Sequence, residues 1–172
     1  FGLAIQRAEK GDAAAQTLIG LMYEAGYGIP RDFDKALQWY GLAAKAGDRQ
    51  AQYALGMMFA GGRGTATDLK RAAEYFQTAA AQGQVDAAYQ LALLYLDGTV
   101  LARDNGRAAT LLMKSAEAGN ADAQYQLAQL YDSGVGIPPD QSEAGRWYAA
   151  AARQGNVLAE IEYAIRLFNG VG

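Results

Sequence analysis

The chain has 172 residues, 51% of them apolar and 19% charged, with a formal charge of −3 and neither cysteine nor histidine. That size and apolar content suffice for a folded core, and they exclude a disordered chain. The acidic balance excludes the Lys/Arg surplus that sequence-independent nucleic-acid binding requires, so no nucleic-acid partner is expected. Without cysteine there is no disulfide framework or thiolate zinc site, and without histidine the commonest general base and metal ligand are missing.

In chain order, residues 1–10 (FGLAIQRAEK) match the second helix of a later unit: Leu3 aligns with Trp39 and Ala8 with Ala44. Next, Asp12 stands before an apolar stripe of Ala15, Leu18, Ile19, Met22 and Tyr23, whose spacing predicts a helix with Asp12 as its N-cap. Gly26 ends it in the left-handed position that favours glycine. Asp32 then caps a second predicted helix carrying Ala36, Trp39, Tyr40, Ala43 and Ala44, which Gly47 stops.

Gly11, Gly47, Gly83, Gly119 and Gly155 recur every 36 residues, and the whole pattern recurs with them. N-cap residues return at Asp48, Asn120 and Asn156, with Gln84 as the weak copy; an aromatic returns at Phe59, Tyr95 and Tyr131. The stretch GYGIPRD (26–32) aligns with GRGTATD (62–68), GTVLARD (98–104) and GVGIPPD (134–140). A Gly-x-Gly before a helix suggests a phosphate loop, but here it repeats with every unit, loses its second glycine at Val100, and is never followed by Gly-Lys-Ser/Thr. It reads as a turn.

These features predict an all-α fold. Helix pairs stack as an α-solenoid of antiparallel pairs with a 36-residue repeat, coiling as a right-handed superhelix. Units start near 11, 47, 83, 119 and 155, giving four full repeats and a half repeat at each end of a single domain over 1–172. Gly20 and Gly56, with Ala92, Ala128 and Ala164 in the same column, predict close approach of a bulky Trp/Tyr pair from the neighbouring helix. The half repeats, and a start at Phe1 without a signal-peptide pattern, read as a fragment of a longer chain. No apolar run approaches the roughly 18 residues of a membrane span.

The columns Ala-x3-Leu-Gly-x2-Tyr, Gly-x-Gly-hydrophobic-x2-Asp and Lys-Ala-x2-Trp-Tyr-x2-Ala-Ala-x2-Gly resemble the Sel1-like repeat, a relative of the tetratricopeptide repeat. The resemblance implies a non-catalytic scaffold or adaptor for protein–protein interaction. In bacteria it favours the periplasm or secretion, with roles in envelope signalling, polysaccharide production or host contact. A cysteine-rich branch of the family is linked to β-lactam binding or hydrolysis. This chain lacks the cysteines, and none of Ser115, Ser133 and Ser142 has lysine three residues on, so a hydrolase is disfavoured. No catalytic residue, cofactor or metal is expected.

Mapped onto tetratricopeptide geometry, Tyr53, Tyr89 and Tyr125 face a concave groove, with Met57, Leu93 and Gln129 one turn on, and Glu24 and Asp132 beyond. Two uses of this tyrosine column are open: packing between neighbouring helices, or recognition by large, rigid rings with a polar tip. First-type helices carry little base (Arg49, Arg166), so a groove lined by them is mildly acidic and suits a protein or peptide segment with basic residues. A carbohydrate or peptidoglycan ligand stacking on the tyrosines is the alternative.

Overall fold

The computed structural model describes residues 2–171. Among them all regular structure is helical: α1 (Gly2–Glu9), α2 (Ala13–Ala25), α3 (Phe33–Lys45), α4 (Arg49–Gly61), α5 (Leu69–Ala81), α6 (Val85–Asp97), α7 (Asn105–Glu117), α8 (Ala121–Ser133), α9 (Gln141–Arg153) and α10 (Val157–Asn169). Every helix after α1 has 13 residues, about 20 Å at 1.5 Å per residue. Helices that short are marginal alone, so packing holds them.

The ends are set chemically. Side chains of Asp12, Asp32, Asp48, Asp68, Asp104, Asn120, Asp140 and Asn156 each accept a backbone amide three residues on, at 2.8–3.0 Å. Gln84 belongs with them: its Oε1 accepts from the Ala87 amide at 3.1 Å, so the longer side chain still caps α6. Gly26, Gly62, Gly134 and Gly170 close their helices with φ of 63–77°, where a Cβ is penalised.

The GYGIPRD stretch is a turn. The amide of Asp32 donates to the Tyr23 carbonyl (2.9 Å), and Asp68–Phe59, Asp104–Tyr95 and Asp140–Tyr131 repeat the bond. The second glycine also permits close approach: a Cβ on Gly64 would lie 2.6 Å from Cβ of Phe33, and one on Gly136 would lie 2.3 Å from the carbonyl oxygen of Asn105.

The chain divides into two compact units, Phe1–Ala87 and Ala88–Gly172. In the first, α1 packs on α2, α2 on α3, α3 on α4 and α4 on α5. Its interior includes Ile19, Tyr40, Leu55, Met58, Phe59 and Phe76 among small alanines. A Cβ on Gly20 would stand 2.6 Å from Cδ1 of Tyr40, and one on Gly56 2.5 Å from Cε1 of Phe76, which is the close approach the mid-helix glycines predict. The approaching ring is the second of each aromatic pair, Tyr40 or Phe76, rather than Trp39 or Tyr75.

In the second unit α7 packs on α8, α8 on α9 and α9 on α10. One core joins Ala92 of α6 to Ala108 and Leu112 of α7, Leu127 and Ala128 of α8, Trp147 and Tyr148 of α9, and Ala159 of α10.

Candidate functional site

Two of the proposed groove acids are partly buried, each paired with an arginine and beside a tyrosine hydroxyl. Glu24 accepts from the Tyr40 hydroxyl (2.7 Å) and pairs with Arg63 (2.6 Å). Asp132 faces the Tyr148 hydroxyl, which its charge helps to push up, and contacts the buried Arg166, whose guanidinium also reaches the Gln141 carbonyl (3.3 Å) and side chain (3.0 Å). Burial first, then the neighbouring carboxylate, pushes both tyrosine hydroxyls far above their ordinary value. The acid and the tyrosine vary together: Glu24 with Tyr40 and Asp132 with Tyr148, but Ala60 with Phe76 and Leu96 with Leu112. A buried hydroxyl without an acceptor is costly, and apolar pairs remove donor and acceptor at once.

The tyrosine column is half-buried. The Tyr53 ring meets Phe76 at 6.0 Å and the Tyr125 ring meets Tyr148 at 5.8 Å, both tilted. Tyr89 packs against the core of the second unit. Burial raises the hydroxyl pKa of Tyr53 and of Tyr89, helped by Asp86 for the first and Asp122 for the second. The Tyr125 hydroxyl accepts from Gln129 Nε2 at 2.9 Å, which ties two proposed contact residues together on α8. Met57, Leu93 and Gln129 are half-buried as well. Tyr53 and Met57 thus share a face of α4, Tyr89 and Leu93 one of α6, and Tyr125 and Gln129 one of α8.

The bases of the second-type helices have a local use. Lys35 lies over Tyr23 (5.2 Å), Arg71 over Phe59 (3.9 Å) and Arg107 over Tyr95 (5.9 Å), each a cation on an aromatic face. The fourth copy places Glu143 in that column, and burial followed by Glu143 raises the Tyr131 hydroxyl instead. Trp147 is buried and Trp39 half-buried, as packing residues.

A second polar feature was not read from the sequence. Gln16, Gln52 and Gln124 are buried, and each donates to a carbonyl of the preceding helix, Ala8, Ala44 and Ala116, at 3.0, 3.3 and 3.0 Å. Gln82 and Gln154 donate in turn to Gln52 and Gln124, both at 2.7 Å. The signal was present as glutamine recurring at unit spacing beside the invariant alanine column.

A family model described as Sel1 repeat matches residues 13–48, 49–84, 85–120 and 121–156. Among solved structures, the chain is similar to c5321, a protective antigen present in uropathogenic Escherichia coli strains displaying an SLR fold. Identity is 32% and TM-score 0.92, over 98% of this chain and 36% of that one. It is also similar to a Sel1 repeat protein from Oxalobacter formigenes, with 34% identity and TM-score 0.87 over 95% of this chain and 48% of that one. The chain therefore spans 36% and 48% of the lengths of these two relatives. Helicobacter pylori cysteine rich protein B shares the fold at 19% identity and TM-score 0.59, over 75% of this chain and 92% of that one. No curated protein matches the chain significantly. Sel1-repeat proteins are generally protein-interaction scaffolds rather than enzymes. With four successive matched repeats and a shared 36-residue architecture, the chain belongs to the Sel1 repeat family.

Proposed function

We propose that this chain is a non-catalytic interaction module that holds a segment of a partner protein against its first-type helices. In the second unit the contact residues are Tyr89 and Leu93 of α6 and Tyr125 and Gln129 of α8, with Asp132 at the edge; in the first unit they are Tyr53 and Met57, with Glu24. The observation that carries this reading is the state of Tyr125. Its ring is fixed against Tyr148 and its hydroxyl by Gln129, yet it remains partly exposed. A tyrosine immobilised before binding loses little entropy on contact and still offers apolar area and a polar tip.

The internal pairing of Glu24 with Arg63 and Asp132 with Arg166 lowers the charge these acids present. The tyrosines and aliphatic neighbours, more than the acids, then select the partner. The likeness to a protective antigen favours a setting in the bacterial envelope or outside the cell.

The test is site-specific photo-crosslinking from Leu93, with Glu117 as an outward-facing control, followed by affinity measurement with the captured protein. Tyr89→Ala and Tyr125→Ala should each weaken binding by about 1–2 kcal/mol, near tenfold. Unchanged affinity with the helical spectrum intact would remove this face from consideration.

A further inference from the structure

The third repeat lacks a ring that its sisters have. At the end of each first-type helix an aromatic column pairs in sequence with a column of large residues on the second: Tyr23 with Trp39, Phe59 with Tyr75, Tyr131 with Trp147, but Tyr95 with Leu111. Phe59 and Tyr75 show the arrangement, stacked at 5.7 Å between centroids and within 2° of parallel. The residues around Leu111 are small as well. Gly106 stands where the other copies have Asp34, Lys70 and Ser142, and Thr110 where they have Gln38, Glu74 and Arg146.

The result is a cleft of about 430 Å³, open to solvent, between α6 and α7, lined by Leu91, Tyr95, Gly106, Thr110 and Leu111, with the Asp104–Arg107 pair at its edge. We propose that this cleft is a socket for an aromatic side chain, tryptophan or tyrosine, of a partner protein.

Three arguments converge on that occupant. In the second repeat Tyr75 fills the equivalent place against Phe59, and Trp39 and Trp147 occupy the same column, so the helix pair is spaced for a ring borne on a side chain. Leu91, Tyr95 and Leu111 supply its apolar wall, and the two charged residues of the lining, Asp104 and Arg107, pair with each other at 3.2 Å, which suits a neutral group. The Arg107 guanidinium lies 5.9 Å from the Tyr95 ring centroid and 3.4 Å from its hydroxyl, and Asp104 holds it there at 3.2 Å, so a fixed guanidinium edges the cleft where an electron-rich ring is favoured. Tyr95 follows Tyr89 by six residues, about 240° around the helix at 3.6 residues per turn. The socket is therefore on a different side of α6 from Tyr89, and it stands or falls separately from the surface proposed above.

The experiment titrates N-acetyl-tryptophanamide into the folded protein and follows the methyl resonances of Leu91 and Leu111 and the ring of Tyr95. Ring-current shifts at these residues, saturating on the order of millimolar, are expected. N-acetyl-leucinamide, which carries no ring current of its own, is added in tenfold excess as a competitor and should not reverse them. Leu111→Trp fills the cleft with the chain's own ring, so it should abolish the shifts while keeping the helical spectrum and the melting temperature. If that variant misfolds, Thr110→Arg, the residue of the fourth copy, covers the cleft from the rim and should also abolish them. Absence of shifts with tryptophanamide, their reversal by leucinamide, or full shifts at Leu91 and Tyr95 in a folded Leu111→Trp protein would each overturn the socket. Tighter binding of free indole than of tryptophanamide would assign the cleft to a small aromatic molecule and overturn the partner side chain.

Discussion

The Tyr40 ring packs against Gly20, so close that a methyl group there would sit 2.6 Å from Cδ1. A mid-helix glycine costs about 1 kcal/mol relative to alanine, and here it lets α2 and α3 approach through an intact aromatic side chain. Gly20→Leu should destabilise the protein by about 1–3 kcal/mol through overpacking, read from urea denaturation with the m-value unchanged. Pairing Gly20→Ala with Tyr40→Leu, the Ala92 and Leu112 combination of the third repeat, should be milder than Gly20→Leu alone.

The Glu24–Tyr40 bond predicts a coupling rather than two independent losses. Tyr40→Phe and Glu24→Ala should each lower stability, and the double variant, which reproduces Ala60 and Phe76, should lose less than their sum. A coupling of about 0.5–1.5 kcal/mol is expected for a partly buried hydrogen bond, measured by a double-mutant cycle. Strict additivity would mean that the contact contributes nothing.

The same tyrosines set an alkaline limit. The folded hydroxyls of Tyr40 and Tyr148 are held above their ordinary value of 10, chiefly by burial and then by Glu24 and Asp132. The folded state therefore keeps protons that the unfolded state releases. Their contribution is complete below pH 10 and declines as pH rises beyond it. Denaturation midpoints should fall between about pH 10 and 11.5, and less steeply in Tyr40→Phe, with the slope per released proton near 1.4 kcal/mol per pH unit.

Arg166 is buried in a column that elsewhere holds Met22, Met58, Leu94 and Leu130. Arg166→Ala removes the partner of Asp132 and the donor to Gln141, and should cost about 2–4 kcal/mol, less than for a fully buried pair because Asp132 is partly exposed. Arg166→Leu together with Asp132→Leu and Tyr148→Leu, which reproduces Leu130, Leu96 and Leu112, should recover part of that loss in thermal unfolding.

The helices and their ends were legible in the sequence because each signal is local: Asp or Asn at the start, glycine at the stop, apolar residues at helical spacing. The helix pairing was legible because Gly20 and Gly56 recur in register. The engagement of Glu24 and Asp132 was not, because their cations break register. Arg63 comes from a turn and Arg166 from a helix column otherwise occupied by methionine or leucine. Gln84 was underrated as a cap because a propensity ranking ignores the reach of one extra methylene. The cleft beside Leu111 was visible only as a gap in a column of large residues; its meaning depends on the small side chains of Gly106 and Thr110 beside it.

Glycine facing a ring, and acid facing hydroxyl, are agreements between a first-type helix and the second-type helix that follows it. Exchanging α2 for α4 alone would set Ala60 before the Tyr40 hydroxyl and strand it. Moving a complete pair carries both halves of the agreement along. Such a chain can lengthen, shorten or recombine only in whole helix pairs, so the inheritable brick of this architecture is the duplet, never the single rod.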